Sequence, residues 1–257
     1  MSTIVDTYAA GPAICIEGTY NFRSTAGYPA AGGTIRPNSL LRSDALHRLG
    51  ARGIAQFAEQ GIVRVIDLRD ETEVRTSPSV FASDEPTRGS AIETVHHPIF
   101  AGAAMPTTRT VPSLEEIYRA IATDRVTALV GAVRLIADAP AGGVLVHCTA
   151  GKDRTGMVVA TALAAVGVPR EQVVADYAAS ADNLAGEWAD RMIASFSERM
   201  PGPINEAVRE LVSASPAEAL GSALDVIDEQ YGGVEPMLLG HGFDPAALER
   251  LHARLVG

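Results

Sequence analysis

Residues 144 to 156 constrain this chain more than any other stretch. They read Val144-Leu145-Val146-His147-Cys148-Thr149-Ala150-Gly151-Lys152-Asp153-Arg154-Thr155-Gly156. The apolar run 144–146, entered through Gly142 and Gly143, predicts a buried strand. From about Arg154 the apolar residues of 157–166 predict a buried helix, which Gly167 ends and Pro169 follows. Strand, tight loop and helix in that order belong to a sheet with helices on its faces. The expected fold is α/β, a central, mostly parallel sheet flanked by helices. The chain's 257 residues, 47% of them hydrophobic, suit one such domain over 1–257 with a helical addition.

The loop itself, Cys148 to Arg154, has the physics of an anion site. Unpaired N–H groups in the loop and the first helical turn can converge on one centre, and the helix dipole favours negative charge there. Arg154 adds a planar fork suited to phosphate oxygens. The same groups stabilise a thiolate at Cys148, so the loop offers a nucleophile behind a cradled tetrahedral dianion. Thr155 is placed to donate its hydroxyl to the sulfur. An inert buried thiol is the usual fate of a lone cysteine, but it leaves Arg154, Thr155 and the glycines without a role. A nucleotide-binding loop would need glycine at 146 and a hydroxyl at 153, where Val146 and Asp153 stand. Two cysteines, without Cys-x-x-Cys or paired histidines, give no zinc pattern, so neither metal nor cofactor is expected. A net charge of −10 makes nucleic acid a poor partner.

The run His147-Cys148 to Arg154-Thr155 resembles the active-site loop of the cysteine-dependent protein tyrosine and dual-specificity phosphatases. With Lys152-Asp153-Arg154 inside, it is closer still to the bacterial tyrosine/lipid phosphatases. Asn21-Phe22-Arg23, Arg42-Ser43-Asp44, Asp67-Leu68-Arg69 and Asp176-Tyr177 are similar to runs in the same family, although Ser24 stands where an aspartate usually follows. The resemblance covers most of 14 to 255, and only the loop is specific. It implies a phosphomonoester hydrolase working through a phosphocysteine, with a phosphorylated protein or a phosphoinositide as substrate. Cys148 is the expected nucleophile and Arg154 the main cation. Thr149, Ala150, Gly151, Lys152 and Thr155 are the expected binding residues. Many relatives carry a general-acid aspartate after the strand at 92–99, but Pro98 to Met105 contains no acid. Asp153 is therefore the first candidate acid and Asp67, at a sheet end, the second. Lys152 resembles the extra lysine of phosphoinositide-active members, and a fixed cation at the loop rim would favour multiply phosphorylated ligands. Two other classes remain open at this stage. One is a module that binds phosphorylated ligands without turnover, and the other a thiol arsenate reductase using Cys15 as its second thiol.

The rest of the chain supplies the frame. Strands are expected at 14–16, with Cys15 buried, and at 39–44, 62–69 and 92–99. Helices are expected around 46–58, 71–75, 114–122 and 126–139 (these two as one helix or two), 169–181, 216–230 and 245–255, with Asp70 capping the second and Ser113 and Glu116 forming a capping box. Asn21 and Arg23 read as braces, Arg42 as either a site residue or a buried ion pair, and His96 and His97 as surface or supporting residues. Residues 183–213 read as a two-helix insertion broken at Pro201-Gly202-Pro203. Trp188, Met192, Phe196 and Met200 share one helix face there, as a core stripe or as a lid over the loop. No run approaches the roughly 20 apolar residues of a membrane span. Met1 to Thr7 has no basic or apolar leader, so the expected location is cytoplasmic, or exported without a classical signal peptide.

Overall fold

The computed structural model describes residues 8–81, 92–100, 112–199, 204 and 206–257. In chain order the elements are β1 (Arg23–Ser24), β2 (Pro29–Ala30), β3 (Gly33–Thr34), β4 (Leu40–Ser43), α1 (Ala51–Ala58), β5 (Ile62–Asp67), α2 (Glu71–Thr76), β6 (Glu93–His96), α3 (Leu114–Thr123), α4 (Val126–Ala137) and β7 (Gly143–His147). Helices make up the rest: α5 (Asp153–Ala165), α6 (Arg170–Ala178), α7 (Ser180–Leu184), α8 (Glu187–Arg199), α9 (Glu206–Ser213), α10 (Ala217–Tyr231), α11 (Val234–Gly240) and α12 (Pro245–Leu255).

Five strands form one sheet in the order β1-β4-β7-β5-β6. Strands β4, β7, β5 and β6 run parallel and β1 is antiparallel at the edge, as the sequence led us to expect of a mostly parallel sheet. Side chains alternate across it with period two. On β7, Val144 and Val146 enter the large core under α3, α4, α5, α10 and α12, while Leu145 enters a smaller core with Phe22, Leu46, Leu49 and Phe57. Strands β4 and β5 divide in the same way, Leu40 and Ile66 to one face and Leu41 and Val65 to the other. Strand β7 is thus buried on both sides, as its unbroken apolar run requires.

The register sets Ser43, His147, Asp67 and His96 in one row at the carboxyl ends of the parallel strands. Cys148 follows directly, in the middle of the sheet, where ligands of open α/β sheets gather. A third apolar cluster, of Leu184, Trp188, Ala189, Val208 and Val212, belongs to α7, α8 and α9, and Ala150 of the loop packs against it.

Several boundaries differ from the sequence reading. Residues 14–16 form no strand; Ala13 makes an isolated bridge to Arg23. Ile14 and Ile16 face the smaller core, and alternation turns Cys15 outward, so it is exposed rather than buried. The strand at 92–99 is only β6. The helix at 169–181 divides into α6 and α7, with Pro169 at the N-cap. Met200, Pro201-Gly202-Pro203 and the acid-free stretch after Phe100 lie outside the described residues.

Candidate active site

The loop between β7 and α5 is held by its carbonyls. Ala45 N–H donates to the Thr149 carbonyl at 3.1 Å. Asn21 Nδ2 donates to the carbonyls of Ala150 and Gly151 at 3.0 and 3.1 Å. Arg42 Nη2 donates to Gly151 at 2.8 Å, and Gly156 N–H reaches the Lys152 carbonyl at 2.7 Å. In a planar trans peptide the N–H points opposite to the C=O. Drawing four successive carbonyls outward therefore turns the N–H groups of Ala150, Gly151, Lys152 and Asp153 the other way. Gly151 makes the turn possible. Its φ is +65°, and a Cβ there would lie 2.1 Å from the Ser43 carbonyl oxygen.

The braces are themselves buried and paired. Asp176 on α6 accepts from Arg23 Nε at 3.1 Å, from Arg42 Nη1, and from the Tyr28 hydroxyl at 3.0 Å. Arg42 is thus a structural ion pair that also grips the loop, and Asn21 and Arg23 are braces. Asp44 anchors the segment before them by accepting the N–H groups of Tyr20 and Asn21, and burial raises its carboxyl to about 6.

Cys148 is 1% exposed and lines a cavity of about 210 Å³ together with Arg154, Asp153, Asp70, Glu73, Phe100, Ile117 and side chains of α8 and α9. Glu73, which the sequence reading passed over, is the partner of Arg154. Its Oε2 accepts from Nη1 at 2.5 Å and its Oε1 from Nη2 at 2.8 Å, while Oε1 also accepts the Thr149 hydroxyl. Burial would raise this carboxyl, but the hydrogen bonds and charge of Arg154, with Thr149 behind them, bring it down to about 2. Burial likewise lowers Arg154, and Glu73 together with the charges of Cys148 and Asp153 outweighs it, so the guanidinium is held above its ordinary value. The sequence signal for Glu73 was present. It stands three residues after Asp70 in a complete capping box at the start of α2.

The two candidate acids occupy different settings. Asp153, first residue of α5, lines the cavity and accepts the Tyr118 hydroxyl at 2.7 Å. Asp67 does not line it. Its carboxylate is taken by Arg69 Nε and Nη2 at 2.9 and 2.6 Å. Burial pushes the Asp67 carboxyl up, yet His147 and Arg69 together hold it below the usual range. His147 is fully buried, lies 3.7 Å from Asp67 through Nε2, and is pushed down by burial against the opposing pull of Asp67. Thr155 Oγ1 is buried and has no hydrogen-bond partner among the described residues, so the expected donation to the Cys148 sulfur is not formed here. His96 and His97 brace carbonyls of Arg69 and Ala128, each at 2.8 Å.

Lys152 departs from expectation. It is fully buried, and its Nζ donates to the carbonyls of Leu211 and Ala214 at 2.7 Å each. The ammonium therefore sits at the carboxyl end of α9, where a cation suits the helix dipole, and not on the rim of the loop. Leu211 and Val212 of α9, with Trp188, Met192 and Phe196 of α8, form the apolar side of the cavity. A second cavity of about 490 Å³ shares Asp70, Glu73, Thr149 and the three α8 residues, and extends past Tyr20, Arg48 and Arg191.

A buried cysteine, a guanidinium and loop carbonyls drawn away from the cavity agree with what the sequence resembles. The family model described as the tyrosine phosphatase family matches residues 14–257. The chain belongs to the tyrosine phosphatase family. Within that family it is 31% identical to the triple specificity protein phosphatase PtpB of Mycobacterium tuberculosis, over 94% of this chain and 98% of that protein. It is 30% identical to a tyrosine-protein phosphatase of Nostoc commune, over 88% of this chain and 78% of that protein. The match spans both the loop and the elements that brace it.

Proposed function

We propose that this tyrosine phosphatase family member hydrolyses phosphomonoesters of proteins, phosphotyrosine first, through a phosphocysteine and without a metal. The observation that supports this best is that Cys148, Arg154 and Asp153 line one small cavity while the loop carbonyls face away from it. Cys148 sulfur attacks phosphorus in line, the S–P bond forms, and the P–O bond to the leaving group breaks. Arg154 and the N–H groups of Thr149, Ala150, Gly151, Lys152 and Asp153 hold the equatorial oxygens, and preorganised charge of this kind supplies most of the rate. Asp153 protonates the departing oxygen and then takes a proton from the water that cleaves the S–P bond. Asp67, tied to Arg69 outside the cavity, is set aside as the acid.

The wall of α8 and α9 is proposed to be a lid. Trp188, Met192 and Phe196 are the sequence's apolar stripe, and they face the cavity rather than the main core. Breadth beyond phosphotyrosine is proposed from the triple specificity named for the mycobacterial relative. Phosphoinositides are proposed within that breadth, bound without Lys152, whose ammonium is held by the carbonyls of Leu211 and Ala214. No helix among the described residues is long and apolar enough to cross a membrane. The test is hydrolysis of an aryl phosphate in the presence of a chelator. Turnover insensitive to the chelator is expected, and phosphate binding without turnover would leave a binding module in its place.

A further inference from the structure

The two carboxylate oxygens of Asp153 meet different surroundings. Oδ1 accepts the Tyr118 hydroxyl at 2.7 Å and lies 3.6 Å from Lys152 Nζ. Among the described residues no protein donor reaches Oδ2. Tyr118, on α3, is 1% exposed, and its hydroxyl is 2.5 Å from that of Tyr177 on α6. The two rings pack edge to face, with centroids 5.8 Å apart. Gly156 gives Tyr177 its room, because a Cβ there would lie 3.0 Å from the Tyr177 ring.

A phenol carries a single proton. When Tyr118 gives its own to Asp153, Tyr177 must donate to Tyr118, so the hydroxyls form a one-way chain from Tyr177 through Tyr118 to Oδ1. Burial raises both phenols well above their ordinary values, so both remain protonated donors. A proton placed on Oδ1 would compete with the hydrogen bond that Tyr118 donates there. A proton on Oδ2 leaves the chain intact.

The geometry points to Tyr118 as a positioning residue that fixes Oδ1 of Asp153 and leaves Oδ2 to carry the proton for the leaving group. This rests on Asp153 being the general acid. As the S–P bond forms and the P–O bond breaks, the proton passes from Oδ2 to the departing oxygen, and Tyr118 and Lys152 steady the carboxylate that remains. In the second step water gives a proton to Oδ2, its oxygen bonds to phosphorus, and the sulfur leaves as thiolate. The titratable groups facing Asp153 are Tyr118 from α3, Tyr177 behind it from α6, Lys152 and Cys148 from the loop, Arg154 from α5, and Asp70 and Glu73 at the start of α2 across the cavity.

The direction of the effect follows. Tyr118 donates to the ionised carboxylate, so its removal disfavours that form, and the basic limb of kcat, where the acid loses its proton, moves to higher pH. Tyr118→Phe is expected to shift that limb by roughly one pH unit with phenyl phosphate, a poor leaving group, and to lower kcat about tenfold. With p-nitrophenyl phosphate, which needs little protonation, kcat should change much less. Asp153→Asn, run in parallel, separates the two claims. If the basic limb survives in Asp153→Asn, the acid is another group and the general-acid reading fails. If Asp153→Asn abolishes the limb but Tyr118→Phe leaves it in place, with equal losses on both substrates, Tyr118 is only a packing residue and the inference is overturned. Where Tyr118→Phe does not fold, Tyr177→Phe gives the same reading, a smaller shift in the same direction, and an unmoved limb overturns the inference equally.

Discussion

Glu73 holds Arg154 by both terminal nitrogens of its guanidinium and holds the other end of the loop through Thr149. One carboxylate on α2 thus fixes the loop on either side of its phosphate cradle. The end-on pairing uses Nη1 and Nη2 and leaves the Nε edge for a ligand. Glu73→Gln keeps the shape and removes the charge. It is expected to lower kcat/KM for aryl phosphate by about 10²-fold, since the cation that must meet the equatorial oxygens is no longer fixed. The carboxyl is depressed from 4.5 to about 2 in the folded chain. Its stabilising effect is therefore complete above pH 4.5 and is lost as pH falls toward 2. In urea unfolding, the stability difference between wild type and Glu73→Gln should shrink across that window. A constant difference would show that the charge plays no part.

Lys152 connects the catalytic loop to α9. Exchange for methionine keeps the length of the side chain but leaves the Leu211 and Ala214 carbonyls without their donor. Hydrogen bonds to a charged group contribute about 1.5–3 kcal/mol, and a loss of that order in unfolding free energy is expected. Activity should fall by the same factor on an aryl phosphate and on a phosphoinositide, because the ammonium serves the wall of the cavity and not one substrate. A loss confined to the phosphoinositide would return Lys152 to the rim.

Trp188 is the single tryptophan of the chain and lines the cavity beside Cys148. Orthovanadate, a tetrahedral anion that fits a phosphate cradle, should change its emission saturably. The change should disappear in Arg154→Ala. A lid also predicts a slower phase in stopped-flow mixing that does not accelerate with vanadate concentration, in the range of loop and domain motions. A single concentration-dependent phase would indicate a fixed wall.

Much of this was legible in the sequence, for physical reasons. The loop announced itself because strand, turn glycine and helix start are all local, and the sheet followed from apolar runs long enough to show a period. What escaped is non-local. Lys152 could be read as a cation, but its direction is set by α9, whose carbonyls arrive 59 and 62 residues later. Tyr118 reads as one more apolar position on the buried face of α3, and nothing in the chain order places it against Asp153. Glu73 was visible as a capping residue, yet its second partner, 81 residues on, was not. The two-residue strands β2 and β3 are too short to carry a pattern, and α11 is a seven-residue helix between glycines.

Cys148 is expected to become covalently phosphorylated in each turnover. Rapid acid quench of wild type with a radiolabelled phosphotyrosine peptide, followed by peptide mapping, tests it most directly. Label should appear on the peptide bearing Cys148 within one turnover and decay as free phosphate forms, and Cys148→Ser should show neither label nor more than a trace of turnover. Sustained turnover in Cys148→Ser, or wild-type turnover with label on another residue, would contradict it.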